Sequence, residues 1–383
     1  MTALRWDVRV HRWLGLLLGV WFAFAGVTGA VLVFWKPIED LEFGAPVPRA
    51  GAALPLEALV AAALARHPGG DAFRIFLPER AGETPRVEIL RAGGGRVSVH
   101  VDAVSGAVVS ERAWGGATIH WLYDLHSGGI IGRNGVVTVG VVGVALVVLA
   151  LLGLVMWVRY AWRPLRDAIW PRAGLRGLRR LRNLHRPAGL WFALPLMLAA
   201  ATGFGLAFPE IVRDLLPPLL EAAPPSRRVT GSGKPMTLAE ALAAAETAMP
   251  GWRGAWIELP EPGGAPDSVL RMRPADPARL DGIAQVFVAL DSGELKVTPA
   301  APVERVRAWI MALHNGQAFG LAHQMAIILL GLVPALLFAT GFLAWRRRRR
   351  SVAAREQQAE RHETQRGRGG DHAKPAGEPA APA

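Results

Sequence analysis

Four long apolar runs constrain this chain more than any other feature of its sequence. They cover roughly residues 13–35, 134–158, 187–208 and 319–345 of 383, and 51% of all residues are hydrophobic. About 20 consecutive apolar residues are enough for a helix to cross the hydrocarbon core of a bilayer. The sequence therefore predicts an α-helical membrane protein with four transmembrane helices.

Positive charge lies beside these runs. Residues 159–186 contain nine Arg and one acidic residue, and residues 346–350 are five consecutive Arg. The N-terminus adds Arg5, Arg9 and Arg12. Because loops rich in Lys and Arg stay in the cytoplasm, we expect both termini on the cytoplasmic side of a bacterial inner membrane. The net charge of +12 is then explained by topology, and we expect no nucleic-acid partner.

The two segments between these basic regions carry no excess of positive charge. Residues 36–132 hold 9 basic and 11 acidic residues, and residues 209–313 hold 11 and 13. We expect one extracytoplasmic domain in each. The expected layout is residues 1–35 for the N-terminus and first span, 36–132 for the first external domain, 133–159 for the second span, 160–184 for a basic cytoplasmic loop, 185–208 for the third span, 209–318 for the second external domain, 319–345 for the fourth span, and 346–383 for a basic and then disordered tail.

The two halves of the chain repeat each other. At an offset of 174 residues the first span matches the third, and at an offset of 188 the second matches the fourth. The matches include His11 with His185, Thr28-Gly29 with Thr202-Gly203, His126 with His314, and Gly153 with Gly341. Both halves begin in the cytoplasm, so we expect parallel repeats related by an axis along the membrane normal.

Each external segment has the pattern of one helix followed by short strands. Residues 55–67 read as a helix before the strand-like FRIFLP, RVEIL and RVSVHVD, and Thr237 can cap a helix before AWIELP, SVLRMR and AQVFVAL. This pattern, with its V-x-V-D-x-x-S-G-like hairpin, resembles a PepSY domain. The H-R-x-x-G-L and L-H-x-G…T-G-x-x-x-W patterns resemble the PepSY-associated transmembrane family over nearly all of residues 5–350.

The resemblance implies a fold and an activity. The fold is four transmembrane helices as two parallel repeats, each with an extracytoplasmic α+β PepSY-like domain. Some members of the family are haem-containing ferric-siderophore reductases of iron uptake. The chain has no Cys, which excludes covalent c-type haem attachment, so any haem would be haem b held by coordination and packing.

The repeat places matched histidines at equal depth. His11 and His185 begin the first and third spans on the cytoplasmic side. His126 and His314 lie outside, because the 31 residues from His126 to Trp157 would span roughly 46 Å as one helix, against a core of about 30 Å. Histidine is a usual axial ligand of haem. We therefore expect two haems, one between each matched pair, although interfacial or helix-capping roles would also explain these positions.

Two further histidines break the repeat. His323 aligns with Gly135, and His120 aligns with Ala308. An ionisable group inside an apolar run is a functional candidate, so His323, and less strongly His120, are alternative ligands or substrate contacts. The paired Thr-Gly positions are interpreted as small residues that let helices pack closely.

We expect an oxidoreductase that passes electrons across the membrane to an external acceptor. Its substrate would be a ferric chelate, by the family resemblance. No ATP-binding loop or dinucleotide fingerprint is present, so the electrons would come from a cytoplasmic reductase or a membrane quinol. The alternatives are a non-enzymatic binding or assembly protein that uses its external domains, and a transporter; the spans hold few polar groups for the latter.

Overall fold

The computed structural model describes residues 6–44, 47, 49–113, 115–160, 169–215, 226–229, 233–261, 263 and 267–370. Arg5, residues 161–168 of the predicted basic loop and residues 371–383 of the predicted tail, with His372, lie outside the described residues. The helices, in chain order, are α1 (Trp6–Leu32), α2 (Trp35–Phe43), α3 (Leu56–Ala65), α4 (Thr118–Ser127), α5 (Gly132–Tyr160), α6 (Gly177–Ala207), α7 (Pro209–Leu215), α8 (Leu238–Ala248), α9 (Pro302–Asn315) and α10 (Gly320–Gly370).

Four of these helices are long and apolar enough to cross a membrane, as predicted. They are α1, α5, α6 and α10. Helices α1 and α6 begin several residues before the predicted apolar runs, because their first turns are polar and carry the basic residues. The chain forms two compact units. The first unit comprises Met1–Ala23, Leu149–Ala193 and Val333–Ala383, and the second comprises Phe24–Val148 and Leu194–Leu332.

The predicted disordered tail is wrong over much of its length, since α10 continues to Gly370. Residues 351–361 are SVAAREQQAER, a segment rich in Ala, Arg, Glu and Gln, which are good helix formers. Extending an existing helix costs far less than nucleating a new one. A polar composition therefore indicated exposure correctly but did not imply loss of the helix.

The strands of both external segments join in one antiparallel sheet of nine strands in the order β4-β3-β2-β1-β6-β7-β8-β9-β5. In chain order they are β1 (Asp71–Phe76), β2 (Arg86–Leu90), β3 (Arg96–Val101), β4 (Val108–Ala113), β5 (Arg227–Val229), β6 (Trp252–Glu258), β7 (Asp267–Pro274), β8 (Ala284–Ala289) and β9 (Glu294–Thr298). The sequence predicted a separate small sheet in each segment.

The two halves of the sheet meet at strands β1 and β6. Ile75 pairs with Ile257 there, flanked by Arg74 with Glu258 and by Phe76 with Trp256. An unpaired edge strand exposes a row of backbone donors and acceptors, and pairing β1 with β6 removes one such edge from each half. Both isoleucines are completely buried, so the joint is part of the core.

One face of the sheet is apolar and is covered by α3 and α8. Alternate residues along the strands point into this core, as the burial pattern of β7 shows. Leu59 and Ala63 of α3 and Ala241 and Ala245 of α8 pack against it. Thr237 caps α8 as predicted, in a capping box with Glu240.

Helix α2 joins the end of α1 to the other face of the sheet. The Arg80 guanidinium donates two hydrogen bonds of 2.9 Å to the carboxylate of Asp40, and Arg112 donates one of 2.7 Å to Glu39. The hydrogen bond from Arg80 holds the pKa of Asp40 below its ordinary value. These bidentate and charge-assisted bonds fix the end of α1 relative to the sheet.

Candidate functional site

The first histidine pair lies in the first unit. His11 comes from α1 and His185 from α6, and their ring centroids are 6.3 Å apart with the ring planes at 89°. The structure thus brings together the two residues that the repeat matched. Their expected role as ligands stays a prediction.

Each ring of the first pair contacts a neighbouring long helix. Nδ1 of His11 lies 3.1 Å from the carbonyl oxygen of Leu149 in α5, and Nδ1 of His185 lies 2.9 Å from Oγ1 of Thr340 in α10. A glycine faces Cε1 of each ring. A Cβ added to Gly153 would lie 3.3 Å from His11, and one added to Gly341 would lie 3.4 Å from His185.

The second pair, His126 and His314, lies in the second unit. Its ring centroids are 6.1 Å apart and its planes are at 54°. Both residues stand in the last turn of a helix, α4 or α9, that ends at a glycine with positive φ, Gly128 (82°) or Gly316 (86°). A left-handed C-cap of this kind favours glycine and turns the chain back towards α5 or α10. The sequence predicted such a turn at Gly128.

The contacts of the second pair repeat those of the first. Oγ1 of Thr28 in α1 lies 3.1 Å from Nδ1 of His126, and Oγ1 of Thr202 in α6 lies 3.0 Å from Nδ1 of His314. Cε1 of each ring again faces a glycine. A Cβ on Gly29 would lie 2.9 Å from His126, and one on Gly203 would lie 3.2 Å from His314.

The hydrogen-bond network assigns the same tautomer to all four histidines. The hydroxyls of Thr28, Thr202 and Thr340 each donate to the carbonyl four residues earlier in their own helix, at 2.9, 2.8 and 2.7 Å. Each threonine oxygen is then left to accept a proton from Nδ1. The carbonyl of Leu149 can only accept. Every Nδ1 is therefore a donor, and every Nε2 keeps a free lone pair, which is the form that binds a metal.

The ring spacing in both pairs fits one metal ion between two imidazoles. A metal–nitrogen bond of about 2 Å, with roughly 1 Å from ring centre to nitrogen on each side, gives a centroid separation of about 6 Å. The observed separations are 6.3 and 6.1 Å. Two imidazoles supply both axial ligands of a haem iron, and the macrocycle supplies the remaining ones. The residues present fit haem held between two histidines at each place.

The structure leaves the alternative ligands outside the two pairs. His323 lies in the first turn of α10 with its ring centroid 5.3 Å from that of Phe319. Its Nδ1 is buried and has no hydrogen-bond partner among the described residues. His120 lies in the first turn of α4, six residues before His126.

Sequence reasoning missed the threonines. It interpreted Thr28-Gly29, Thr202-Gly203 and Thr340-Gly341 as close helix packing, whereas the space beside each glycine takes an imidazole ring. All three hydroxyl-bearing residues are buried, at 5 to 7% exposure. The detectable signal was the common repeat of His, Thr and Gly at the two fixed offsets.

The sheet carries a separate group of buried charges on the face opposite its core. His100 of β3 lies beside Arg86 of β2 and pairs with Ser110 of β4. Burial, together with the charges of Arg112 and Arg86, lowers the pKa of His100 to about 3. His100 is therefore neutral at physiological pH, and this group serves the sheet rather than the histidine pairs.

Comparison with known proteins gives one family match. A family profile described as PepSY-associated TM region matches residues 8–348, and this range includes both histidine pairs and the sheet. No curated protein matches the chain.

Proposed function

The chain belongs to the PepSY-associated TM region family and is a multi-pass membrane protein, and from this premise we propose that it is a haem-containing inner-membrane reductase that passes electrons across the bilayer to an extracytoplasmic acceptor. The observation that carries the proposal is the pair of matched histidine sites, each about 6 Å between ring centroids. Structural histidines have no need of this spacing twice over.

The four histidines would hold two haem b groups, His11 with His185 and His126 with His314. Haem supplies one-electron oxidation and reduction of its iron. The protein contributes the orientation of the ligands. Nδ1 of each ring is occupied by a hydroxyl or carbonyl oxygen, so that Nε2 is available, and the glycines beside the rings admit them close to the helices.

The acceptor we propose is ferric iron in a siderophore. One electron converts Fe³⁺ to Fe²⁺, and hard oxygen ligands hold the less charged ion more weakly, so reduction releases the metal. The electron would come from a cytoplasmic reductase or a membrane quinol. The two PepSY-like halves of the sheet would lie on the extracytoplasmic side, where the chelate arrives.

The test begins with the absorption spectrum of the purified protein. We expect two haems per chain with the spectrum of six-coordinate bis-histidine iron. His185→Ala and His314→Ala should each remove one haem and leave the other. His323→Ala is the matched control and should retain both, because its ring lies outside the pairs.

Activity is then measured in liposomes. With a reductant inside and a ferric chelate outside, we expect ferrous iron to form with the intact protein and with His323→Ala. His185→Ala and His314→Ala should both abolish it. A colourless, folded protein would contradict the proposal and favour a non-enzymatic binding or assembly role.

A further inference from the structure

We propose that Thr28, Thr202 and Thr340 are positioning residues that strengthen three of the four ligand histidines as electron donors, and that Leu152, which takes the place of the fourth threonine, leaves His11 the weakest of them. The substitution makes the first site unsymmetrical and raises its reduction potential relative to a site with threonine in both halves. The inference rests on the proposed function, because it concerns the same histidines.

The exception is visible in the alignment of the two halves. At the offset of 188 residues, Thr340-Gly341 corresponds to Leu152-Gly153. The glycines still face the rings at nearly the same distance, 3.4 Å to His185 and 3.3 Å to His11. The two imidazoles therefore lie equally close to their helices, and the hydroxyl is the part that differs.

The number of acceptors at Nδ1 follows from this difference. His126, His314 and His185 each meet a threonine oxygen. Each also has a backbone carbonyl three residues before that threonine within reach, from Ala25, Ala199 and Leu337 respectively. His11 has the equivalent carbonyl, that of Leu149, while residue 152 offers no hydroxyl. Three histidines thus have a carbonyl and a hydroxyl, and one has the carbonyl alone.

Acceptors at Nδ1 change the chemistry at Nε2. A hydrogen bond accepted from Nδ1–H pulls the proton away from the ring and makes the other nitrogen a stronger donor to a metal. A stronger donor stabilises ferric iron more than ferrous iron, because the ferric ion has the higher charge, and the potential falls. Removing a hydroxyl should raise the potential of its site, and adding one should lower it.

Thr28, Thr202 and Thr340 might be thought merely to bond their own helices, as buried threonines often do. Thr138 in α5 provides the comparison, since its hydroxyl donates to the carbonyl of Asn134 at 2.8 Å and it is exposed. It shares the local bond of the other three threonines without a histidine. Thr138→Val is therefore the matched control.

The experiment is a redox titration of the intact protein and of five variants, with haem content measured on each. Thr340→Val should raise one of the two midpoint potentials, and Leu152→Thr should lower that same potential. Thr340→Ser, which keeps the hydroxyl, should restore the original value. Thr202→Val should raise the other potential, and Thr138→Val should move neither. A shift equivalent to a tenfold change in the ferric-to-ferrous equilibrium, 59 mV for one electron, is the expected upper size.

The outcomes separate this inference from the proposed function. An intact protein without haem overturns both. Variants that keep both haems at unchanged potentials overturn the inference and leave the proposed function standing. Loss of one haem in Thr340→Val supports the inference if Thr340→Ser retains it, and contradicts the inference if Thr340→Ser loses it too, because bulk rather than the hydroxyl would then matter.

Discussion

Gly29 is the residue at which the space beside a histidine is tightest. A methyl group there would approach Cε1 of His126 to 2.9 Å, so Gly29→Ala should displace the ring and weaken the second site. Residues that orient a metal ligand typically change metal affinity about 10–100-fold when altered. We expect the haem content per chain to fall towards half of the original value, measured by the absorbance of the extracted haem.

The control for that substitution is Gly189→Ala. Gly189 lies in α6, and a Cβ built on it meets nothing within 4 Å. The change should leave haem content intact and stabilise the helix by up to about 1 kcal/mol. Equal haem content in Gly29→Ala and Gly189→Ala would show that the glycine beside His126 is not required for the site.

His100 predicts an acid sensitivity of the sheet. Its pKa is about 3 in the folded protein and 6.5 ordinarily. As pH falls below 6.5, the unfolded chain binds a proton that the folded chain refuses, so stability is present above that pH and is lost progressively down to about pH 3. The loss is at most about 1.4 kcal/mol per pH unit.

His100→Gln removes the titrating group and should flatten this dependence, measured as the unfolding temperature at pH 7.5 and pH 5. Carboxylates contribute in both proteins. The pKa of Asp102, for example, is lowered by the hydrogen bonds from Ser105, so its stabilisation fades only at lower pH. An equal fall in unfolding temperature for the two proteins between these pH values would contradict the role assigned to His100.

At this scale the sequence predicts the histidines and not their supports. The repeat matches His11 with His185 and His126 with His314, and equal depth follows from symmetry. Thr28 could not be found in the same way, because a buried threonine can satisfy itself on its own helix and a Thr-Gly pair is common at helix contacts. Only the folded chain shows that an imidazole occupies the space beside Gly29.

Among the elements, the pairing of β1 with β6 makes one sheet from two segments. Ile257→Ala deletes three carbons at the joint, where Ile257 is fully buried, and should cost about 2–5 kcal/mol. Because the strands share one core, amide hydrogen exchange should accelerate in β2 and β3 as well as in β6 and β7. The measurement is exchange followed peptide by peptide.

Phe287→Ala is the control for the joint. Phe287 lies in β8 with 41% of its surface exposed, so the change should cost less than about 1 kcal/mol and affect exchange only near β8. Acceleration confined to β6 and β7 in Ile257→Ala would show that the two segments unfold independently, as separate domains would.

The sequence predicted the helix-then-strands pattern of each external segment and missed how the segments meet. Alternating residues such as those of β7 indicate a strand with one buried face, but alternation does not say which strand lies beside it. The partner of β1 is 180 residues away along the chain, and Ile75 and Ile257 look like any other core residues. Likewise the helix formers after Arg350 extend α10, although their polarity suggested disorder.

For the whole molecule, the absence of Cys allows a direct test of orientation. A single cysteine can be placed at Gly93, in the exposed hairpin between β2 and β3, or at Ala173, in the exposed turn before α6. The basic clusters at 159–186 and 346–350 keep their loops in the cytoplasm, so position 93 should face outward and position 173 inward. A thiol reagent that cannot cross membranes should then label Gly93→Cys in intact spheroplasts and leave Ala173→Cys unlabelled.

Breaking the spheroplasts provides the control, since both cysteines are exposed and both should then react. The unmodified protein should stay unlabelled throughout, because it has no thiol. The opposite result, with only Ala173→Cys labelled in intact cells, would invert the chain in the membrane and place the sheet in the cytoplasm. The histidine pairs could still bind haem in that orientation, but electrons would reach the sheet on the wrong side for an external ferric chelate, so orientation alone decides whether this acceptor is possible.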